Sequence, residues 1–369
     1  MSGSNANFNA GSLDPTRPVR AGEEIDVDKL RAFLDRKLPE LAGPITVEQF
    51  PKGHSNLTYL LRIGDREVVL RRPPGGAKAI KAGHDMHREF RMMHALLPVY
   101  PKVPRTLLYC DENESPLGVS FYVMERVSGL ILRAKAPEGI DLNAEVMRSL
   151  SEAFVDNLVE LHRIDVQKSG LSELGKPQGY VARQVSGWTE RYQKARTDDI
   201  PEMERIAKWM AEHQPPEQSG TVIHNDYKYD NLVLDPQQVS NIRAVLDWEM
   251  ATLGDPLSDL GTTLAYWFEP SESEVIGNLG LGLTTLPGNL SREGVLARYA
   301  QKSGRDVSNI VFYYVNALFK VAVIAQQIYS RYKQGFTSDE RFAGMIFAVH
   351  MLAQTGVNAL EKGRISNLL

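Results

Sequence analysis

One cysteine, Cys110, stands among 369 residues. A lone thiol excludes an intramolecular disulfide and any CxxC zinc site, and cysteine this scarce suits a reducing cytosol, so a cytoplasmic location is expected. Basic excess is missing too: 42 Lys and Arg stand against 46 Asp and Glu, a net charge of -4. Nucleic-acid binding is therefore not expected, since duplex readers carry clustered positive charge. A polyanionic small ligand stays open, because a few placed cations and one metal ion can hold it. Residues 1–20 have no apolar core and do not read as a secretory signal; 1–22 read as a polar, Gly- and Asn-rich tail. A long uninterrupted apolar run is also lacking. The most apolar stretch, Ile310 to Ile328, is broken by Asn316 and Lys320 and falls short of the ~18 residues of a membrane span, so it reads as a buried helix. No internal repeat is visible.

What is present is an ordinary globular composition, 43% hydrophobic and 24% charged, in enough chain for about two domains. Asp26 is placed to cap a helix over 27–38 with Leu30, Phe33, Leu34 and Leu38 on one stripe, stopped by Pro39. The period then shortens. Strands are predicted at 45–50, 57–63 and 67–71, with Gly64-Asp65 as a hairpin turn, and again at 106–110 and 119–124, around a helix over 84–97. Helical patterns dominate later, at about 143–162, 181–196, 202–213, 292–303, 307–331 and 339–361, with short apolar runs at 221–223, 232–234 and 244–246. The expected class is α+β: a β-rich lobe over 23–127 and a helical lobe over 128–369.

The densest polar signal lies between those short runs. His224-Asn225-Asp226-Tyr227-Lys228-Tyr229-Asp230-Asn231 precedes Leu232-Val233-Leu234, and Val245-Leu246-Asp247-Trp248-Glu249 follows; Asp247 lies 247 − 226 = 21 residues beyond Asp226. These are the residue types that phosphoryl transfer uses. Its transition state is loose and anionic, so catalysis is mostly positioning and charge neutralisation. A magnesium ion wants hard oxygen ligands, which Asp247 and Asn231 offer. A hydroxyl nucleophile can be oriented and deprotonated by a carboxylate such as Asp226. Lys228 can place positive charge on the moving phosphate, and His224 suits a scaffold role. The bland alternative, a set of turn-forming Asp and Asn residues, explains each residue singly but not the whole pattern.

This pattern resembles the catalytic and metal-binding loops of the aminoglycoside phosphotransferase-like kinases, which share the protein-kinase fold. The resemblance runs over roughly residues 27–361 and implies a two-lobed kinase-like fold, ATP and magnesium as cofactors, Asp226 and Lys228 as catalytic residues, and Asn231 and Asp247 as metal ligands. Pro51 to Asn56 falls at the phosphate-covering loop, implying nucleotide contacts from Gly53, Ser55 and Asn56. Arg71 falls where the family usually has a phosphate-binding lysine, with Arg72 as the competing candidate, and Glu89 matches the acidic partner of that cation. An arginine keeps the charge but replaces a point ammonium by a planar fork. Glu125 and Val127 fall at the lobe junction, where an adenine ring is expected. Asp255 reads as a helix cap and Asp259 as a brace for the catalytic loop.

Three functions compete. An active kinase of a small hydroxylated molecule needs Asp226, Asn231 and Asp247 together. A pseudokinase, a nucleotide-binding or interaction module, is favoured only by the arginine at position 71. A protein kinase is disfavoured, since Trp248–Gly254 leaves no room for a long activation loop. The segment Leu70 to Gly75 and the catalytic loop are most similar to the kinase-like domain fused to acyl-CoA dehydrogenases (family members 10 and 11), which implies a hydroxyacyl substrate. An acidic cleft for polycations is not evident, although Glu269, Glu272 and Glu274 come near one. His84, His87 and His94 share a helix without the partners of a zinc site. His162 reads as a packing or capping residue.

Overall fold

Caps, turn residues and alternation set the first elements. The computed structural model describes residues 14–51, 56–74, 85–133, 139–272, 282–337 and 339–368 of the chain. Asp26 accepts the Lys29 amide and caps α1 (Val27–Lys37), which buries Leu30, Phe33 and Leu34. Strands β1 (Ile45–Gln49), β2 (Leu57–Ile63) and β3 (Arg66–Arg72) follow as hairpins. Gly64 takes φ +59° in the tight β2–β3 turn, and a side chain there would meet the Ala42 carbonyl oxygen at 2.9 Å. Helix α2 (Met86–Leu96) starts at the Asp85 cap, and β4 (Thr106–Cys110) and β5 (Phe121–Glu125) complete an antiparallel five-stranded sheet in the order β1-β2-β3-β5-β4. Alternation sends Tyr59, Leu61, Ile63, Val68 and Leu70 into one core with the α1 stripe. Arg71, next along β3, points to the opposite face.

The helical part contains α3 (Ala144–His162), α4 (Tyr180–Ala195), α5 (Pro201–Glu212), α6 (Pro256–Ala265), α7 (Arg292–Ser303), α8 (Ile310–Lys333) and α9 (Met345–Lys362). Helix α8 is the hub, packing against α4, α5, α6 and α9. By length and composition alone, α8 and the segment Glu340–Lys362 could each cross a membrane; 78% of the α8 window is buried inside the structure and 33% of the other. Four short strands carry the motif loops: β6 (Thr221–Ile223), β7 (Leu232–Leu234), β8 (Ile242–Val245) and β9 (Thr252–Gly254), paired antiparallel as β6 with β9 and β7 with β8.

The chain divides into two compact units. One takes the described residues up to 132, with 139–140 and 229–251; the other takes 133, 141–228 and 252 onward. The sequence division ran 128–369 as one piece, whereas here β7, β8 and the Asp247 loop group with the sheet. Gly129 shows why: a side chain there would meet the Leu234 carbonyl oxygen at 2.5 Å, so the chain leaving the sheet lies directly against β7. Strand β9 escaped the sequence reading because Thr252-Leu253-Gly254 holds one large apolar residue and ends in glycine, so it is not an apolar run. The expected helix over 339–361 is a 3-10 turn, Glu340–Gly344, followed by α9.

Candidate active site

In the first unit, Arg71 organises a buried charge cluster. Its Nη1 donates to Glu89 Oε1 at 2.7 Å and to Asp247 Oδ1 at 3.1 Å, while Nη2 donates to the same Asp247 oxygen at 3.1 Å and to Glu249 Oε2 at 3.4 Å. Asn56 Nδ2 donates to Glu249 Oε2 at 2.9 Å. Burial opposes the Arg71 charge, but Glu89, the Tyr122 oxygen, Asp247 and Glu249 outweigh it and hold the guanidinium well above its ordinary pKa. Glu89 is 1% exposed, and burial pushes its carboxyl up even against the attraction of Arg71. Glu89 Oε2, Tyr122 Oη and Arg71 Nε are buried without hydrogen-bond partners among the described residues. Arg72 is used elsewhere: it donates to the Glu23 carbonyl and the Tyr59 hydroxyl and stacks over the Tyr59 ring. Of the two arginines, the structure therefore brings Arg71 to Glu89.

Asp247 sits in the left-handed region at φ +66°, at the start of the 3-10 turn Trp248–Met250. Strain at a non-glycine residue marks positions that their surroundings over-determine. Here the Trp248 indole donates to the Val245 carbonyl at 2.8 Å, and the Leu246 amide donates to the Asn231 carbonyl at 2.8 Å, which ties the Asp247 loop to the end of the catalytic loop. No group of three or more His, Cys, Asp or Glu converges as a ready metal cage among the described residues. Magnesium does not need one: one or two carboxylates plus substrate phosphates are its usual set, and Asp247, Asn231 and Glu249 offer hard oxygens of that kind. The donor chemistry fits the ion.

Of the expected nucleotide contacts, Gly53 and Ser55 lie outside the described residues. Val127 packs with Leu246 against Ile131, Val233 and Ala244, an apolar patch suited to a flat ring. Glu125 ends β5, where its amide donates to the Arg105 carbonyl at 2.8 Å and its carboxylate pairs with Arg105. That amide is therefore engaged within the sheet.

In the second unit, one buried carboxylate fixes the catalytic loop. Asp259 is fully buried and accepts the His224 amide at 2.6 Å and the Asn225 amide at 2.7 Å, while its Oδ2 also meets His162 Nε2 at 3.1 Å. His162 Nδ1 in turn meets the Tyr299 hydroxyl at 2.8 Å. Burial alone would raise the Asp259 carboxyl; hydrogen bonding and charge from His162 and His224 bring it below its ordinary value. This is the bracing role read from the sequence, and it gives His162 its packing role. Asn225 takes φ +66°, and its side-chain oxygen accepts the Tyr180 hydroxyl at 3.1 Å. The strained turn presents Asp226, whose two carboxylate oxygens each accept from Lys228 Nζ at 2.9 Å. Lys228 also lies 4.7 Å from the centre of the Tyr266 ring. Tyr227 faces inward, bonded to Asn157 and the Phe154 carbonyl.

Two sequence readings change. Glu269 and Glu272 are not an acidic surface: they are buried against Arg292, which donates to Glu269 at 3.3 Å and to Glu272 at 2.5 Å. Nothing is shown of Glu274, which lies outside the described residues. Lys320, noted only as a break in an apolar run, is 8% exposed and donates to the Asn225 carbonyl at 2.9 Å. Its separation from the motif in sequence hid this contact.

The model of the phosphotransferase enzyme family matches residues 46–292. The chain belongs to this family. Among its relatives, rat acyl-CoA dehydrogenase family member 11 is 36% identical over 355 residues, 94% of this chain and 45% of the relative. Mouse acyl-CoA dehydrogenase family member 10 is 35% identical over 325 residues, 88% of this chain and 30% of the relative. The chain thus spans less than half the length of these relatives. A solved structure from Ralstonia eutropha, described as a candidate aminoglycoside phosphotransferase, is 30% identical with a TM-score of 0.76 and covers 92% of this chain and 99% of its own. Fold likeness alone extends to a Cryptosporidium parvum choline kinase, 13% identical with a TM-score of 0.63 over 93% of this chain and 98% of that one. It extends also to a streptomycin–ATP complex of an aminoglycoside phosphotransferase, 14% identical with a TM-score of 0.54 over 90% of this chain and 97% of that one. The expected protein-kinase-like α+β fold and the expected family are both borne out.

Proposed function

We propose that this protein transfers the γ-phosphoryl group of ATP to a hydroxyl of a small molecule, with magnesium. Membership in the phosphotransferase family supports the reaction class. The observation that carries the reading is the braced loop: Asp259 pins the backbone of His224 and Asn225, and the Asp226 carboxylate that follows is 18% exposed beside Lys228. Asp226 would orient the substrate O–H and take its proton as the new O–P bond forms and the bond to the leaving ADP breaks. Lys228 holds the carboxylate and places positive charge near the transferred group. Asn231 and Asp247 would hold magnesium, which would supply charge neutralisation at the phosphates. Arg71, held by Glu89, would face the phosphates, with Asn56, Gly53 and Ser55 on the covering loop and Glu125 and Val127 at the adenine. The acyl-CoA dehydrogenase names of the relatives make a hydroxyacyl compound our proposed substrate; the single cysteine makes a cytoplasmic setting our proposed location.

A second reading has its own observation. The Arg71 fork takes an Asp247 oxygen at 3.1 Å, so the cation competes with a metal for that ligand, as a pseudokinase could tolerate. Thermal unfolding separates the two. A ligand that binds only the folded state raises stability, by about 2.7 kcal/mol at a hundred times its dissociation constant. The kinase reading expects a rise in Tm that needs ATP and magnesium together, followed by ADP release with a hydroxylated substrate. No shift at saturating Mg-ATP would leave the interaction-module reading.

A further inference from the structure

The two polar breaks in the apolar run of α8 face one place. Tyr313, Asn316, Ala317 and Lys320 follow one stripe of that helix and line a small, partly open cavity in the helical unit. Residues of α4 and α6 close it, and Asn225 forms part of its wall. The enclosed part, about 20 Å³, has room for a group about the size of one water, so it suits a single oxygen-bearing end of a ligand and not a whole nucleotide or oligosaccharide.

Several of its polar groups have donors to spare. Lys320 Nζ has three N–H and gives one to the Asn225 carbonyl at 2.9 Å. Asn316 is only 7% exposed, and its side-chain amide has no hydrogen-bond partner among the described residues. Gln184 accepts the Trp188 indole N–H at 3.0 Å through its oxygen, which leaves its NH2 for other use. Ser258 Oγ is buried without a hydrogen-bond partner among the described residues. A buried cation hydrogen-bonded to a neutral carbonyl is a costly arrangement. Burial pushes the Lys320 pKa down; the nearby Asp226 and Asp259 oppose that and Lys228 adds to it. An oxygen-bearing ligand would supply the missing acceptors, while a polycation would add repulsion. Trp188 and Tyr180 give the cavity an apolar wall for a short carbon chain.

We propose that this cavity is the acceptor-substrate subsite and that Lys320 and Asn316 select a compact carbonyl-oxygen group, a carboxylate or a thioester carbonyl, on the molecule whose hydroxyl meets Asp226. The proposal rests on the phosphotransferase reading for the identity of the reaction, but not for the binding itself. Because Asn225 both lines the cavity and precedes Asp226, a group anchored on Lys320 is held one residue from the carboxylate that would act on the hydroxyl.

The test uses the full chain and short hydroxy acids, their N-acetylcysteamine thioesters, and chain-matched amino alcohols. Binding is read by calorimetry with and without Mg-ATP, and phosphorylation by ADP release. The native protein should bind the acids or the thioesters and refuse the amino alcohols; which of the first two binds identifies the source of the carbonyl oxygen. Asn316→Leu, which breaks no hydrogen bond of the protein, should keep the Mg-ATP thermal shift and raise KM for the carbonyl substrate about tenfold or more, with a smaller change in kcat. Lys320→Arg should recover more binding than Lys320→Met. A native protein that prefers amino alcohols, or an Asn316→Leu variant with unchanged KM, overturns the subsite. If Mg-ATP gives no shift while the acids or thioesters still bind in its absence, the kinase reading fails and the subsite stands; the reverse result sinks the subsite alone.

Discussion

A single side chain can serve stability and ligand chemistry at once, and Arg71 has both roles in the proposed function. It neutralises Glu89, a carboxylate that is 1% exposed, at 2.7 Å. Removing one partner of a buried ion pair strands the other, at a cost on the order of 3–5 kcal/mol. Arg71→Ala should therefore lower the denaturation midpoint by that measure and weaken the Mg-ATP shift, whereas Arg71→Lys should lose less stability because it keeps a cation for Glu89. Chemical denaturation of the two variants checks this, and equal losses would sink it. Asp259 permits a pH prediction. Its folded pKa lies below the ordinary value of 3.8, so its contribution is fully present above that value and is lost as pH falls through the folded pKa. Asp259→Asn should cost on the order of 3 kcal/mol at neutral pH, from bonds to a charged acceptor. The gap between the native and variant melting curves should stay constant from pH 7 to about 4 and narrow below it. A gap that narrows instead between pH 7 and 5 would assign the linkage to another group.

Elements show what sequence can carry and where it stops. Helix α1, the β2–β3 hairpin and helix α3 were legible because each contains its own signals: a capping Asp26, a Gly64-Asp65 turn, an apolar stripe of helical period. Packing between elements was not legible. Gly261 sits inside α6, where glycine lowers helix stability, and nothing local explains it. The structure does: a Cβ there would meet the Tyr313 carbonyl oxygen of α8 at 2.5 Å and its carbon at 2.7 Å. Both are backbone atoms, so the neighbour cannot rotate away. Gly261→Ala should therefore destabilise the protein by about 1–3 kcal/mol despite the better helix propensity of alanine. Thermal melts decide it; a variant more stable than native would mean that the α6–α8 approach is looser than the structure has it. The same limit hid Asn316 and Lys320, whose cavity needs walls from α4 and α6, far off in the chain.

At the scale of the molecule, the two compact units each hold some of the residues to which the proposed function gives roles. The sheet-bearing unit carries Arg71, Glu89, Asn231 and Asp247; the helical unit carries Asp226, Lys228 and Asp259. The Asp226, Asn231 and Asp247 pattern was readable because its members lie close in sequence. Their separate roles came from the family resemblance and not from residue type, since a carboxylate looks the same whether it binds metal or takes a proton. Substitution can divide them. Asp247→Ala removes a hard oxygen from the proposed metal site, so the Mg-ATP thermal shift itself should vanish. Asp226→Ala should leave that shift nearly intact and lower kcat about 10²–10⁴-fold, the usual worth of a general base. Paired measurements of thermal shift and ADP release on both variants would show the two effects crossing. If both variants lose the shift together, Asp226 belongs to the nucleotide site; if both keep it, Asp247 holds no metal and its tie to Arg71 is structural.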